Sequence, residues 1–245
     1  MQTLLADPGS TERTRVRRIP ELAVTERATL HRVLDAGFYG HLALADETGQ
    51  PYAVPVAYAR EGETVLFHGS AASRLFRLCA AGTPVCFTVT LMDGLVLARS
   101  AFESSMNYRS AMVLGHCNVL HGRAKELGLR LIGEHLMPER WAEIREPSAQ
   151  ELKATAVLEL PLDECSVKIS DGGPADRAED LDLPVWAGRL PLERRWGTPE
   201  PAADLRPGHA ETPAYIQRWR ERIGDPAPAG PDGASSTALN TEEHP

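Results

Sequence analysis

The hydrophobic pattern of the chain changes period several times. Glu26 to Ala36 reads as a helix, capped by Thr25, with acidic Glu26 in its first turn and Gly37 just past its end. From Phe38 the period becomes strand-like. Phe38–Ala45, Tyr52–Tyr58 and Val65–His68 are short strands separated by Gly-containing turns at Asp46–Gln50 and Glu61–Glu63, which predicts an antiparallel meander. Pro55 lies inside the second strand. Proline cannot donate to a ladder, so an edge or a bulge is expected there, and an irregular strand would leave backbone groups to face a bound ring.

After His68 and Gly69 the pattern turns helical. Ser70 is expected as the N-cap. Leu75, Phe76 and Cys79 fall on one face and Gly82 closes the helix. Pro84–Leu91 alternates as a strand, Met92-Asp-Gly94 supplies a hairpin signal, and Leu95–Ala101 returns. Polar residues from Phe102 to Ser110 interrupt before Met112–Val119 resumes as strand. Leu127–Leu136 is amphipathic and helical despite Gly128 and Gly133, and Thr155–Leu160 and Ser166–Ile169 close the pattern. About six antiparallel strands with a few helices make a small barrel the simplest architecture.

Outside this core the composition shifts. Residues 1–20 read as a flexible N-terminal arm and 21–196 as the folded domain. The break at Asp171-Gly-Gly-Pro174 leads into an acidic loop, Asp176–Asp182. Residues 197–245 form a Pro/Ala/Gly-rich tail expected to be largely disordered, apart from a short helix at Tyr215–Ile223. The 245 residues carry a net charge of −8, which disfavours a general nucleic-acid binder. Cys79, Cys86, Cys117 and Cys165 show no C-x-x-C spacing; three of them sit in apolar runs as small core residues, consistent with a reducing cytoplasm. Thr11–Arg18 is charged and polar, so no signal core is expected, and no apolar run reaches the length of a membrane span.

Two segments carry candidate chemistry. Ser70, Ser73 and Arg74 cluster where a strand runs into a helix. Unpaired N–H groups and the positive dipole end collect at such a start, and two hydroxyls with a guanidinium add donors suited to a phosphate. The other segment is Ser104-Ser-Met-Asn-Tyr-Arg-Ser110. If it begins a strand, Asn107, Arg109 and Ala111 share one face and Tyr108 and Ser110 the other, so that one face can meet a ligand or a partner subunit. His116 and His121 are five apart and His31, His41 and His135 stand alone; no metal site is expected from them.

Phe67-His-Gly-Ser70, Ser73-Arg74, Val89-Thr-Leu-Met-Asp-Gly-Leu-Val-Leu-Ala-Arg-Ser100, Met106-Asn-Tyr-Arg-Ser110 and Val185-Trp-Ala-Gly188, taken in order, resemble the pyridoxamine 5'-phosphate oxidase-related FMN-binding proteins. The branch most similar is the one related to nitroimidazole-resistance flavoproteins. The resemblance runs from about Val24 to Leu192. It implies a mainly β fold, a six-stranded antiparallel split β-barrel that dimerises with FMN at the subunit interface. It also implies roles: Arg74, Ser73 and Ser70 at the FMN phosphate; Val54, Pro55 and Val56 along the flavin ring; His68 beside the ring or ribityl chain; Tyr108, Arg109 and Ser110 approaching the flavin or the interface; and Trp186 covering the flavin from the partner chain. Two positions depart from the family pattern. Glu103 and Ser104 stand where relatives carry a histidine pair, and Lys168-Ile-Ser170 stands where they have Lys-x-Arg, which bears on substrate choice.

The function expected is that of a cytoplasmic FMN-dependent oxidoreductase serving a small nitroaromatic- or quinone-like acceptor, with His68 the candidate catalytic group and neither nucleic acid nor membrane as partner. A non-catalytic flavin store or sensor, and a barrel holding haem or a deazaflavin, are the alternatives. Pyridoxamine phosphate oxidation itself is not expected, because no basic cluster forms a second phosphate site.

Overall fold

The computed structural model describes residues 6–209 and 211–221. A single antiparallel sheet dominates. Its strands are β1 (Ala23–Val24), β2 (Tyr39–Ala45), β3 (Pro51–Glu61), β4 (Thr64–Ser70), β5 (Val85–Leu97), β6 (Ser105–Gly115), β7 (Asn118–Val119), β8 (Thr155–Pro161), β9 (Glu164–Ser170) and β10 (Gly188–Pro191). The spatial order is β1-β9-β6-β5-β2-β3-β4-β8-β7, with β10 added beside β5. The end strands do not meet, so the sheet is an open, split barrel rather than a closed one. Helices α1 (Arg27–Ala36), α2 (Arg74–Ala80), α3 (Gly122–Leu136), α4 (Ala149–Ala154) and α5 (Ala214–Glu221) flank it.

The inward residues of alternate strands form one core. Tyr58, Phe67 and Phe87 meet edge to face at its centre, with ring centroids 4.8 Å apart for Phe67–Phe87 and 5.1 Å for Tyr58–Phe87, a favoured aromatic geometry. Leu30, Val33 and Leu34 of α1 and Leu75, Phe76 and Cys79 of α2 complete it. A smaller cluster joins Ile132 of α3 to Ala59 and Leu66 on the outer side of the sheet.

The sheet has ten strands among the described residues, against about six expected. β1 and β7 are two-residue bridges and β10 has four residues, too short for a period to show. Met92-Asp-Gly94 is not a hairpin turn. β5 runs through it as one thirteen-residue strand, and the register against β6 shifts between Met92 and Gly94. Gly94 is required because β10 lies close: a Cβ there would sit 2.5 Å from the Leu190 carbonyl oxygen. The true connection is residues 98–104, where the Ser104 hydroxyl donates to the Ser100 carbonyl oxygen at 2.8 Å and accepts from the Ala98 N–H at 3.1 Å. β6 accordingly begins at Ser105, inside the polar segment.

Other boundaries move as well. α1 starts at Arg27, with Glu26 rather than Thr25 in the cap position. α3 begins five residues earlier than its apolar stripe, at Gly122, and α4 is built on a Ser148–Glu151 capping box. Residues 6–20 lie against β9: the Gly9 N–H donates to the Cys165 carbonyl at 2.7 Å and Lys168 Nζ to the Arg18 carbonyl at 2.9 Å. α5 docks through Trp219 Nε1, which donates to the Pro138 carbonyl at 3.1 Å. The disorder expected for 225–245 lies outside the described residues.

Candidate functional site

The site follows from where two strands part. β3 pairs with β2 over Pro51–Ala57 but with β4 only over Tyr58–Glu61. β4 instead pairs with β8 along its whole length, Thr64–Ser70. The first half of β3 therefore has no strand partner on that side, and a gap opens between Pro51–Ala57 and the end of β4. Pro55 sits in this edge half, where a missing N–H costs no ladder bond.

The far wall of the gap is the β4–α2 junction. Ser70 ends β4 and is not the helix cap; its hydroxyl accepts from the Ala72 N–H at 3.3 Å. Ser73 takes the cap position with extended backbone and no side-chain capping bond. Its hydroxyl is thus not spent on the helix, and the N–H groups of Arg74, Leu75 and Phe76 have no carbonyl within α2 to reach. Gly69 lets the junction close over the core: a Cβ there would lie 2.3 Å from Phe76 Cε2.

Arg74 spans the gap. Its guanidinium lies 4.9 Å above the Tyr52 ring and donates to the Tyr52 hydroxyl, which in turn donates to Asp46 at 3.3 Å. Arg74 is exposed and pairs with no carboxylate among the described residues. An uncompensated guanidinium beside a bare helix start has the donor chemistry of a phosphate site.

Val54, Pro55 and Val56 lie on the unpaired half of β3, and His68, Ser70, Ser73 and Arg74 at the end of β4 and the start of α2, with Arg74 and Tyr52 in contact across the opening. His68 also forms part of the wall of a cavity of about 550 Å³ beneath α3 and α4, lined by apolar Leu129, Ile132, Trp141 and Ile144 and by the charged Arg145 and Glu151. That size is in the range of about 300–1,000 Å³ usual for cofactor and ligand sites. Desolvation by these walls pushes the His68 imidazole below the ordinary histidine value, which favours the neutral form near pH 7.

The remaining sequence candidates lie elsewhere. Tyr108 and Ser110 are on the outer face of β6, three strands from β3, or about 14 Å at the usual strand spacing. Arg109 faces the opposite way, buried, with Nε and Nη2 donating to the two Asp93 carboxylate oxygens at 2.9 and 2.8 Å. Asn107 is buried on that face too and bonds the Gly172 carbonyl at 2.9 Å. Trp186 is 68% exposed and lies against Gly188 at the start of β10. Of the two departures from the family pattern, Glu103 pairs with Arg177 at 3.5 Å and the Ser170 hydroxyl donates to Asn107 Oδ1 at 3.2 Å. Tyr52 and Trp141 escaped the sequence reading. Tyr52 carried a signal, since it lies two residues before Val54 and so shares its strand face; Trp141, in a polar linker, carried none.

Comparison with known proteins supplies the family. The family model described as pyridoxamine 5'-phosphate oxidase matches residues 26–169, the span that contains the unpaired half of β3 and the β4–α2 junction. The chain belongs to this family. It is 37% identical to the FAD and haem binding protein from Mycobacterium smegmatis, aligned over 80% of this chain and 96% of that one with a TM-score of 0.77. It is 36% identical to the flavocytochrome Anf3 from Azotobacter vinelandii, over 87% of this chain and 98% of that one, with a TM-score of 0.80. A Bacteroides thetaiotaomicron structure tied by name to 5-nitroimidazole antibiotic resistance, 20% identical over 60% of this chain and 86% of its own with a TM-score of 0.52, shares the fold. No curated protein matches the chain.

Among the described residues no helix is long and apolar enough to cross a membrane, and all four cysteines are free.

Proposed function

We propose that the protein is a homodimeric flavin-dependent oxidoreductase. Its flavin would lie in the gap between β3 and β4, with the phosphate end at Arg74, Ser73 and Ser70. The exposed, uncompensated Arg74 guanidinium at the bare start of α2 carries this reading. Membership of the family and the naming of two relatives at 36–37% identity for FAD, or as a flavocytochrome, support it. When bound, the flavin supplies the electron transfer to a small nitroaromatic- or quinone-like acceptor, which the polypeptide cannot perform by itself.

The residues of the chain bind and orient. Arg74 and the Ser73 hydroxyl neutralise and bond the phosphate. The unpartnered half of β3, Val54–Val56, would lie along the flavin ring, where Pro55 offers a carbonyl acceptor but no N–H. The second subunit would cover the outer sheet face that carries Tyr108 and Ser110, and Trp186, exposed and aromatic, suits a cross-subunit lid over the flavin. Arg109 braces β5 against β6 in this reading instead of touching the flavin. Four free cysteines are consistent with a cytoplasmic setting.

A second reading adds haem, and a specific observation favours it. His68 lines the cavity beneath α3 and α4 beside apolar Leu129, Ile132 and Trp141, with Arg145 and Glu151 also in its wall, and an imidazole at that place would be able to hold a haem iron. His68 would then hold iron, and Leu129, Ile132, Leu136 and Trp141 would supply apolar contacts to the bound group. The absorption spectrum of the purified protein tests both readings. Bound flavin gives a yellow protein with the flavin bands; haem adds a Soret band that His68→Ala should abolish while sparing the flavin bands. A colourless protein that binds neither FMN nor FAD on titration would overturn the proposal.

A further inference from the structure

Two arginines of this chain are held in opposite ways. The guanidinium fork of Arg109 is closed by Asp93, whose two carboxylate oxygens accept at 2.9 and 2.8 Å. Its charge is spent inside the barrel. Arg74 is exposed, donates to the Tyr52 hydroxyl and lies 4.9 Å above the Tyr52 ring.

Behind Tyr52 stands the β2–β3 turn. Asp46 Oδ1 accepts from the Thr48 N–H at 2.9 Å, from the Thr48 hydroxyl at 2.6 Å and from the Gln50 N–H at 3.1 Å. Oδ2 is left for the Tyr52 hydroxyl, at 3.3 Å. A phenol has a single proton to give. With that proton directed at Asp46, the phenol oxygen meets Arg74 as an acceptor. The Tyr52 ring packs against the barrel core, so the hydroxyl has a fixed place as well as a fixed direction.

An exposed arginine that is not held samples many rotamers, and a ligand that must order it loses affinity. A carboxylate in direct contact would order it too, but would close the fork and cancel the charge, as Asp93 does for Arg109. A phenol set between carboxylate and guanidinium orders the arginine through one N–H and the ring face. The charge and the rest of the fork stay available to an anion.

We propose that Tyr52 and Asp46 are positioning residues that hold the Arg74 guanidinium across the β3–β4 gap in the place where the flavin phosphate binds. The proposal rests on the flavin reading of that gap. It makes flavin affinity depend on the β2–β3 turn, two hydrogen bonds removed from Arg74.

The test is a double-mutant cycle, read by fluorescence titration of flavin-stripped full-length protein with FMN and with FAD. Tyr52→Phe keeps the ring under Arg74 and removes the hydroxyl, and Tyr52→Leu removes both. Asp46→Asn keeps an oxygen for the turn N–H groups and puts an amide NH2 where Tyr52 donates. Urea unfolding checks the fold of each variant, and Tyr52→Phe, the mildest change, closes the cycle by itself if another variant fails to fold. Ordering one long side chain is worth about 2- to 12-fold in affinity. Tyr52→Phe and Asp46→Asn should therefore raise the flavin Kd about threefold, and Tyr52→Leu about tenfold. In an Arg74→Ala background the same substitutions should leave the Kd unchanged, because no guanidinium remains to be placed. Equal weakening with and without Arg74 would overturn the inference, since the residues would then act on the sheet or touch the flavin themselves. Wild-type affinity in the single variants would overturn it as well, and leave the flavin site standing. An Arg74→Ala protein with unchanged Kd, or a wild type that binds neither flavin, would overturn the flavin reading of the gap and this inference with it.

Discussion

Replacing Arg74 by alanine separates a binding role from a structural one. In the folded chain its guanidinium makes one hydrogen bond, to the Tyr52 hydroxyl, and stacks over that ring at 4.9 Å. An exposed cation–π contact is worth about 0.5–1 kcal/mol, and Tyr52 keeps its bond to Asp46. Stability should therefore fall by no more than about 1 kcal/mol. Binding should suffer more. A hydrogen bond to a charged group contributes about 1.5–3 kcal/mol, and each 1.4 kcal/mol is tenfold, so the flavin Kd should rise about 10- to 150-fold. Solvent screening of an exposed guanidinium places the effect toward the lower end of that range. The assay is flavin fluorescence quenching on the stripped protein, paired with urea unfolding of the same samples. Added salt should weaken wild-type binding more steeply than that of the variant, and Arg74→Lys, which keeps the charge and loses the planar fork, should fall between them. An unchanged Kd would remove Arg74 from the site and, with it, the placement of the phosphate.

Two further outcomes follow from the barrel and its junction. Asp93→Asn removes the carboxylate charge from a pair whose side chains are only 8% and 14% exposed, so urea unfolding should show a loss of about 3–5 kcal/mol; the double variant Asp93→Asn/Arg109→Met should recover much of it, and a single variant as stable as wild type would mean that the pair does not brace β5 against β6. Because desolvation lowers the His68 pKa in the folded state, the unfolded chain takes up that proton first. Stability should therefore fall as pH drops through about 6.5, where an unperturbed histidine titrates, and level off below the folded-state value. The difference between wild type and His68→Gln across that range isolates the contribution, and identical pH slopes would refute it.

Most of the strands were legible because one face of each is buried. Alternation in Phe38–Ala45 and Pro84–Leu91 and the helical face Leu75, Phe76, Cys79 follow from the burial that the fold imposes. The clustering of Ser70, Ser73 and Arg74 was also legible, since a strand-to-helix junction is a local event. Met92-Asp-Gly94 misled because its turn chemistry is real, yet Asp93 is bonded by Arg109, sixteen residues away, and Gly94 yields to β10 from nearly a hundred residues downstream. Ser148 and Glu151 have capping-box spacing, but no apolar stripe follows to announce a helix.

What the amino-acid order determined by itself is the set of surfaces: which residues turn inward, where a helix starts, and which cations stand at that start. What only the tertiary structure decided is the opening between them. Whether β3 stays paired with β4 beyond Tyr58 depends on β8 claiming β4 along its length, a contact between segments about ninety residues apart. Hydrophobic period records burial against whatever lies opposite and carries no information about which strand that is. The gap beside Arg74 and the cavity under His68 therefore exist only once the sheet has closed partway and stopped.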